Sequence, residues 1–168
     1  GVVVGLLPLV VGSWRRRRLL RSGAGRALDS GLVRSVVREL GMRRGVPVVV
    51  SGAVEMPMAA GLLRPRVYLP AEAGRWPGER LRAVLLHELG HVRRRDLQTQ
   101  ALAAVARAAY WPHPLAWVAA RRMEIEREKA CDDLVVSRGI DAPAYAQALL
   151  EVAVFERSRV MGYAGVGM

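Results

Sequence analysis

The sequence has little of what several common kinds of small protein require. Its single cysteine, Cys131, cannot form an internal disulfide, which excludes a disulfide-stapled scaffold and suits a reducing, cytosolic surface. Aromatic residues make up only 5% of the chain, and no nucleic-acid module is recognisable. No internal repeat or low-complexity tract occurs, which excludes a repeat array. A chain of 168 residues therefore forms one ordinary domain with a real core.

Acidic residues are few beside basic ones. The chain has 15 Asp and Glu against 26 Lys and Arg, a net charge of +11, and almost all the basic residues are arginine. The arginines are spread along the chain, with clusters at residues 15–18, 43–44, 93–95 and 121–122. This distribution favours anionic lipid as the partner, with no direct nucleic acid expected. An arginine-rich nucleic-acid binder stays as a third interpretation, which predicts duplex binding with a steep salt dependence.

A complete membrane-spanning run is also missing. Residues 1–12 are wholly apolar, whereas a spanning helix needs about 20 residues. They lead into Trp14 and the arginines of residues 15–18, an order typical of the cytoplasmic end of a transmembrane helix and opposite to that of a signal peptide. We expect residues 1–14 to be the end of a truncated transmembrane helix and residues 15–26 a basic juxtamembrane joint. An apolar strand or core helix is the alternative.

Periodicity and breaking residues predict an α+β fold that is mainly helical, with a small β-sheet. The β-branched segments 46–51 and 66–70 are expected to pair as strands. Capping residues and glycines predict helices from Asp29 or Ser30 to Gly41, at about 78–94, 96–110 and 115–138, and after Asp141.

The most informative motif is His87-Glu88-Leu89-Gly90-His91. On a helix, this spacing stacks His87 and His91 on one face, so that both rings can reach one metal ion with Glu88 beside it. Apolar residues at helical spacing around the motif indicate that the histidines lie in or beside a buried stripe. Zinc in such a site supplies Lewis acidity, and the carboxylate serves as general base in peptide hydrolysis. A chance pattern on an exposed helix is the alternative.

A catalytic zinc normally has three protein ligands, so one more must come from elsewhere in the chain. Glu128 is the favoured candidate, because small and apolar residues after it indicate a helix face that packs inward. His113, in a Pro-flanked turn, and Cys131 are weaker alternatives. Asp132 and Asp96 are candidates to orient a histidine by accepting its other N–H. Asp96 can equally be a cap for the next helix.

Four segments resemble the BlaR/MecR family of membrane-embedded zinc metallopeptidases. They are HELGHVRRRD (87–96), YWPHPLAW (110–117), ARRMEIEREKACDDLVV (120–136) and GLLRPRVYLP (61–70), and the resemblance covers about residues 1–157. It implies a zincin-like domain with a gluzincin-type site, in which His87, His91 and Glu128 hold one Zn²⁺ and Glu88 is the general base. CAAX-prenyl-protease-like and HtpX-like peptidases share the two-part zinc site, but the ACDD stretch fits them less well.

The resemblance also implies a place in the cell. The catalytic domain is expected on the cytoplasmic side of a bacterial-type inner membrane, acting in regulatory proteolysis on a transcriptional repressor or on itself. Residues 27–160 would be this peptidase domain and residues 161–168 a truncated tail. The antibiotic sensing of the best known members cannot be carried over. The competing interpretation is a membrane-bound sensor or scaffold with a structural or vestigial zinc.

The substrate backbone is expected to lie along an exposed sheet edge, and the candidate strand is Val67, Tyr68 and Leu69. An ordinary core strand is an equally good interpretation of these residues. His113 and Tyr110 are further candidates for contact with the substrate.

Overall fold

A small sheet forms one side of the domain in the computed structural model, which describes residues 25–143 and 145–147. Its strands are β1 (Arg26–Ala27), β2 (Val48–Ser51), β3 (Met58–Ala60) and β4 (Arg66–Pro70), in the spatial order β1-β2-β4-β3. β2 and β4 run parallel, while β1 and β3 pair antiparallel with β2 and β4 respectively. The predicted pairing of the two β-branched segments is confirmed. β1 crosses the predicted boundary between the basic joint and the domain.

Four helices fill the rest of the described chain. They are α1 (Gly31–Glu39), α2 (Gly78–Arg94), α3 (Asp96–Ala109) and α4 (Pro114–Ser137). A short 3-10 helix, Ala71–Arg75, links β4 to α2, and residues 145–147 are again helical. The predicted α+β class with a mainly helical content is confirmed. No helix within the described residues combines the length and apolar character that a membrane span requires.

The helix ends follow the predicted local chemistry. The Ser30 hydroxyl accepts a hydrogen bond from the Val33 N–H at 3.3 Å, which caps α1. Gly41 and Gly139 adopt left-handed backbone just after α1 and α4, at φ 64° and 81°. Arg95 is also left-handed, at φ 61°, and it turns the chain from α2 into α3.

The core lies between the sheet and α2. Leu85, Leu86 and Leu89 of α2 are fully buried, together with Val67 and Leu69 of β4. Burying a leucine contributes about 1.5–3 kcal/mol relative to leaving it exposed. These contacts fix the rotation of α2 and so decide which of its residues face α4. The predicted transmembrane end, at residues 1–14, and tail, at residues 161–168, lie outside the described residues.

Candidate metal centre

His87 and His91 lie one turn apart on α2, beside its buried leucines. Their rings meet edge to face with centroids 4.8 Å apart. The Nε2 atoms approach to 3.1 Å, so both rings present the same nitrogen to one point. The expected stacking of the two imidazoles on one helix face is present.

Helix α4 crosses α2 at Gly90, the residue before His91. A Cβ built on Gly90 would lie 2.9 Å from Leu134 Cδ2 and 3.5 Å from Cys131 Sγ. The missing side chain therefore allows the two helices to approach closely. This approach brings Glu128 Oε2 to 3.5 Å from His87 Nε2 and 3.6 Å from His91 Nε2.

Arg127 fixes which oxygen of Glu128 faces the histidines. Its guanidinium donates two hydrogen bonds to Glu128 Oε1, at 2.7 and 3.1 Å, which leaves Oε2 directed at the imidazoles. Partial burial raises the pKa of the Glu128 carboxyl, but the hydrogen bonds and positive charge of Arg127 oppose this effect. The net effect holds this pKa below its ordinary value, so Glu128 is a carboxylate.

The other nitrogen of His91 contacts a buried carboxylate. Asp96 Oδ2 lies 2.8 Å from His91 Nδ1, and the Asp96 side chain is only 8% exposed. Asp96 is the first residue of α3, and the N-cap position of this helix is occupied by Arg95. Of the two sequence interpretations of Asp96, the contact with a histidine is therefore the one present.

Two residues contact the other nitrogen of His87, one from α4 and one from beyond its end. Its Nδ1 lies 2.9 Å from the Tyr145 hydroxyl and 3.2 Å from Asp132 Oδ1. Tyr145 donates its own proton to Asp132 Oδ1 at 2.9 Å, so its oxygen is free to accept the His87 N–H. Burial, followed by the charge of His91, lowers the pKa of His87 and favours the neutral ring.

These contacts decide where the imidazole protons are. In a neutral imidazole only one nitrogen carries a proton. Both Nδ1 atoms face acceptors, so in neutral rings with the proton on Nδ1 both Nε2 atoms present lone pairs to each other and to the Glu128 carboxylate. Three electron-rich atoms within 3.6 Å repel unless a cation lies among them.

The spacing of the three atoms matches a small divalent metal. Tetrahedral ligands about 2.0–2.1 Å from zinc stand about 3.3–3.4 Å from one another. The separations here are 3.1, 3.5 and 3.6 Å. Two imidazoles and one carboxylate are also a donor set that zinc accepts, with one position left open.

A second group of potential ligands, formed by His91, Asp96 and Cys131, fits a metal less well. Cys131 Sγ lies 3.2 Å from His91 Nδ1, the nitrogen already directed at Asp96. Burial, followed by the charge of Asp96, raises the pKa of the Cys131 thiol to about 12. The protonated thiol packs beside the His91 ring and the Asp96 carboxylate, at 3.2 Å from Nδ1 and 3.9 Å from Oδ2.

Glu88 points away from solvent on the same helix and is only 8% exposed. Burial, followed by the charge of Glu128, raises the pKa of Glu88 to about 7, while a hydrogen bond from the Ala59 backbone lowers it. A carboxyl with a pKa near neutrality can both accept and return a proton at physiological pH. The contact with Ala59 also ties Glu88 to strand β3.

One sequence prediction about the substrate strand is wrong. Val67, Tyr68 and Leu69 lie in β4, which pairs with β2 on one side and β3 on the other. Val67 and Leu69 are fully buried, so this is the core strand of the alternative interpretation. Within the described sheet the edge next to α2 is β3, Met58–Ala60, a strand that was not among the two predicted from the sequence.

The alternative ligand His113 and the candidate Tyr110 lie in the turn between α3 and α4. His113 is the residue before α4, its backbone N–H donates to the Tyr110 carbonyl, and both side chains are exposed. The ligand cluster found among the described residues contains Glu128 and not His113. Tyr145 and Arg127 are the site residues that sequence reasoning missed.

A helical histidine pair completed by an acid from a second helix, beside a small sheet, defines a class of metal-dependent hydrolase domain. Within that class, the chain belongs to the BlaR1 peptidase M56 family, whose model matches residues 1–168. The predicted family is confirmed.

Two curated relatives agree with this assignment. Over 86 residues, 51% of this chain, it is 30% identical to the regulatory protein BlaR1 of Bacillus licheniformis. Over 121 residues, 70% of this chain, it is 22% identical to the methicillin resistance mecR1 protein of Staphylococcus aureus. These matches span 14% and 21% of the respective relatives, so the chain corresponds to a part of such proteins.

Proposed function

We propose that this chain is the catalytic part of a membrane-associated zinc metalloendopeptidase of gluzincin type. One zinc ion per chain is held by His87, His91 and Glu128. The observation that carries the proposal is the convergence of two imidazole Nε2 atoms and a carboxylate oxygen within 3.6 Å. Membership of a peptidase family supports the same chemistry.

The roles of the residues follow from their contacts. Bound zinc supplies Lewis acidity and lowers the pKa of a coordinated water. Glu88 accepts the proton of the attacking water and passes it to the leaving amine as the peptide bond breaks. Asp96, and Tyr145 with Asp132, hold the two imidazoles in the tautomer that leaves Nε2 free.

The substrate backbone lies along the edge of β3 and adds a strand to the sheet. An extended peptide pairs with an exposed edge through main-chain hydrogen bonds. Support comes from the contact between Ala59 of β3 and Glu88, which brings this edge to the candidate base. The substrate class is a protein, in the form of a transcriptional repressor or the parent protein itself, and the domain acts at the cytoplasmic side of the inner membrane.

The competing function is a sensor or scaffold with a structural zinc. A structural zinc normally has a fourth Cys or His ligand. Among the described residues the cluster offers three donors, and Cys131 lies on the opposite side of the His91 ring. The catalytic interpretation is therefore preferred.

The test compares wild-type protein with Glu88→Gln, using the parent protein in membranes and a proteome-derived peptide library. We expect the variant to keep one zinc per chain, measured by elemental analysis, and to lose cleavage by about 10²–10⁴-fold. Equal cleavage by both proteins would remove Glu88 from the mechanism. Absence of zinc from folded wild-type protein would remove the metal centre itself.

A further inference from the structure

The outer part of the α3–α4 hairpin exposes apolar side chains that cover nothing in the domain. Residues 102–123, which we name the hairpin tip, contain the end of α3, the turn and the start of α4. Leu102 is 70% exposed and Leu115 is 66% exposed. Val105, Trp111, Trp117 and Val118 are each more than half exposed. Soluble proteins rarely expose so continuous an apolar surface unless it contacts a partner.

The charge of this segment has one sign. Residues 101–123 contain no Asp or Glu and three arginines, Arg107, Arg121 and Arg122, and the first acid after them, Glu124, pairs with Arg121 at the surface at 3.3 Å. The Arg107 guanidinium lies 4.9 Å from the centre of the Trp117 ring, which places a cation directly beside an aromatic side chain. The partner of this surface is therefore both apolar and anionic.

The distance from the turn to the two arginines of α4 matches a membrane interface. Arg121 and Arg122 follow Pro114, the first residue of α4, by seven and eight positions. At 1.5 Å per residue they lie about 10–12 Å behind the turn. Amphipathic elements sink about 5–10 Å into the boundary between headgroups and acyl chains. With Trp111 at that depth, the two arginines lie among the lipid phosphates.

A hydrogen bond fixes the conformation of the turn. The Trp117 indole N–H donates to the Trp111 carbonyl at 2.9 Å, which ties the turn to the first part of α4. This hydrogen bond keeps the aromatic rings of the turn close together. Trp and Tyr are the residues preferred at membrane interfaces.

We propose that the hairpin tip inserts into the interfacial layer of a bilayer that contains anionic phospholipid, with Arg121 and Arg122 contacting the phosphates. This contact orients the metal centre relative to the membrane, because α4 carries the hairpin tip at one end and Glu128 near the other. The inference rests on the membrane association in the proposed function, but not on peptidase activity.

The test uses the whole chain with Trp14→Phe and Trp76→Phe, which leaves two of its four tryptophans, Trp111 and Trp117. Its fluorescence is followed with vesicles of phosphatidylcholine and phosphatidylglycerol whose acyl chains carry bromine as a quencher. We expect quenching on binding. Arg121→Gln combined with Arg122→Gln should weaken binding to these vesicles at low salt by about fivefold for each arginine removed.

The apolar contribution has a matched control. Leu102→Ser with Leu115→Ser should weaken vesicle binding by about tenfold or more. Leu63→Ser removes a leucine that is 88% exposed but lies outside the hairpin tip, and it should leave binding unchanged. If Leu63→Ser weakened vesicle binding as much as Leu102→Ser with Leu115→Ser, the hairpin tip would not be the membrane-binding surface.

Two further results would overturn the proposal. Vesicles could bind the protein through another part of the chain, such as residues 1–12, and both tryptophans would then remain unquenched. The fluorescence could instead shift with protein concentration in the absence of lipid, which would make a second copy of the chain the partner. Glu88→Gln should be quenched like wild type, so a failed peptidase assay leaves this test intact.

Discussion

At its carboxyl end α4 packs against α2, and at its amino end it presents apolar residues to solvent. Cys131 and Val135 are fully buried beside the histidine helix. Leu115 and Val118, on the same helix, are 66% and 55% exposed. Between 13 and 20 positions separate the buried pair from the exposed pair, or about 20–30 Å at 1.5 Å per residue.

The two ends of α4 differ in what their apolar residues contact. The buried end is specified by contacts within the domain, since Gly90 admits the helix and Leu134 packs above it. The exposed end is also rich in apolar residues, but its partner is not a residue of the described domain. Apolar content alone therefore does not identify core, and the charges beside it distinguish the two ends. Acidic residues accompany the end that faces the histidines, and arginines accompany the end proposed to face lipid.

The largest expected effect comes from removing the acid that α4 supplies to the histidines. We expect Glu128→Ala to reduce zinc affinity by more than about 100-fold, because one of three ligands is gone. Residues that only support a ligand typically change metal affinity by about 10–100-fold. His113→Ala changes the exposed turn at the other end of α4 and should keep full zinc occupancy. Equilibrium dialysis followed by elemental analysis measures both. The reverse pattern would make His113 the ligand and Glu128 a surface residue.

A smaller loss is expected from the groups that orient the imidazoles. Tyr145→Phe removes the hydroxyl that contacts His87 Nδ1, and Asp96→Asn weakens the acceptor on His91 Nδ1. Each should reduce zinc affinity by about 10–100-fold while the fold persists.

Competition with a chromophoric chelator gives the affinities, and circular dichroism checks the fold. Asp29→Asn is a matched control, since Asp29 is an exposed acid that pairs with Arg34 at the surface. Unchanged affinity in both site variants would show that the imidazoles are held by packing alone.

Sequence reasoning found the parts of the site that depend on local geometry. His87 and His91 follow from the spacing of one helix, and Glu128 follows from the change of an acidic face into an apolar one. Asp96 lies five residues after His91, close enough for its contact to be anticipated. The ends of these helices were also predictable, because capping residues and glycines determine a helix end through contacts within a few residues.

The parts that were missed depend on contacts between distant residues. Tyr145 is 58 positions from His87 and looked like one more apolar residue of the last helix. A buried tyrosine needs a partner for its hydroxyl, and this was the one signal that could have identified it. β1 and β3 have only two and three residues, too few for an alternating pattern. Without β3, the core strand β4 looked like an edge.

The smallest expected effect compares the same substitution at the two ends of α4. Val135→Ala deletes two methyl groups from a fully buried position beside α2, and it should lower the free energy of unfolding by about 2 kcal/mol. Val118→Ala deletes the same groups from a position that is 55% exposed, and it should change that free energy by less than about 0.5 kcal/mol. Urea denaturation of zinc-loaded protein measures both. Because alanine also favours helix over valine, any residual effect at Val118 should be stabilising. A loss at Val118 as large as that at Val135 would mean that the hairpin tip is packed against protein, and the distinction between the two ends of α4 would fail.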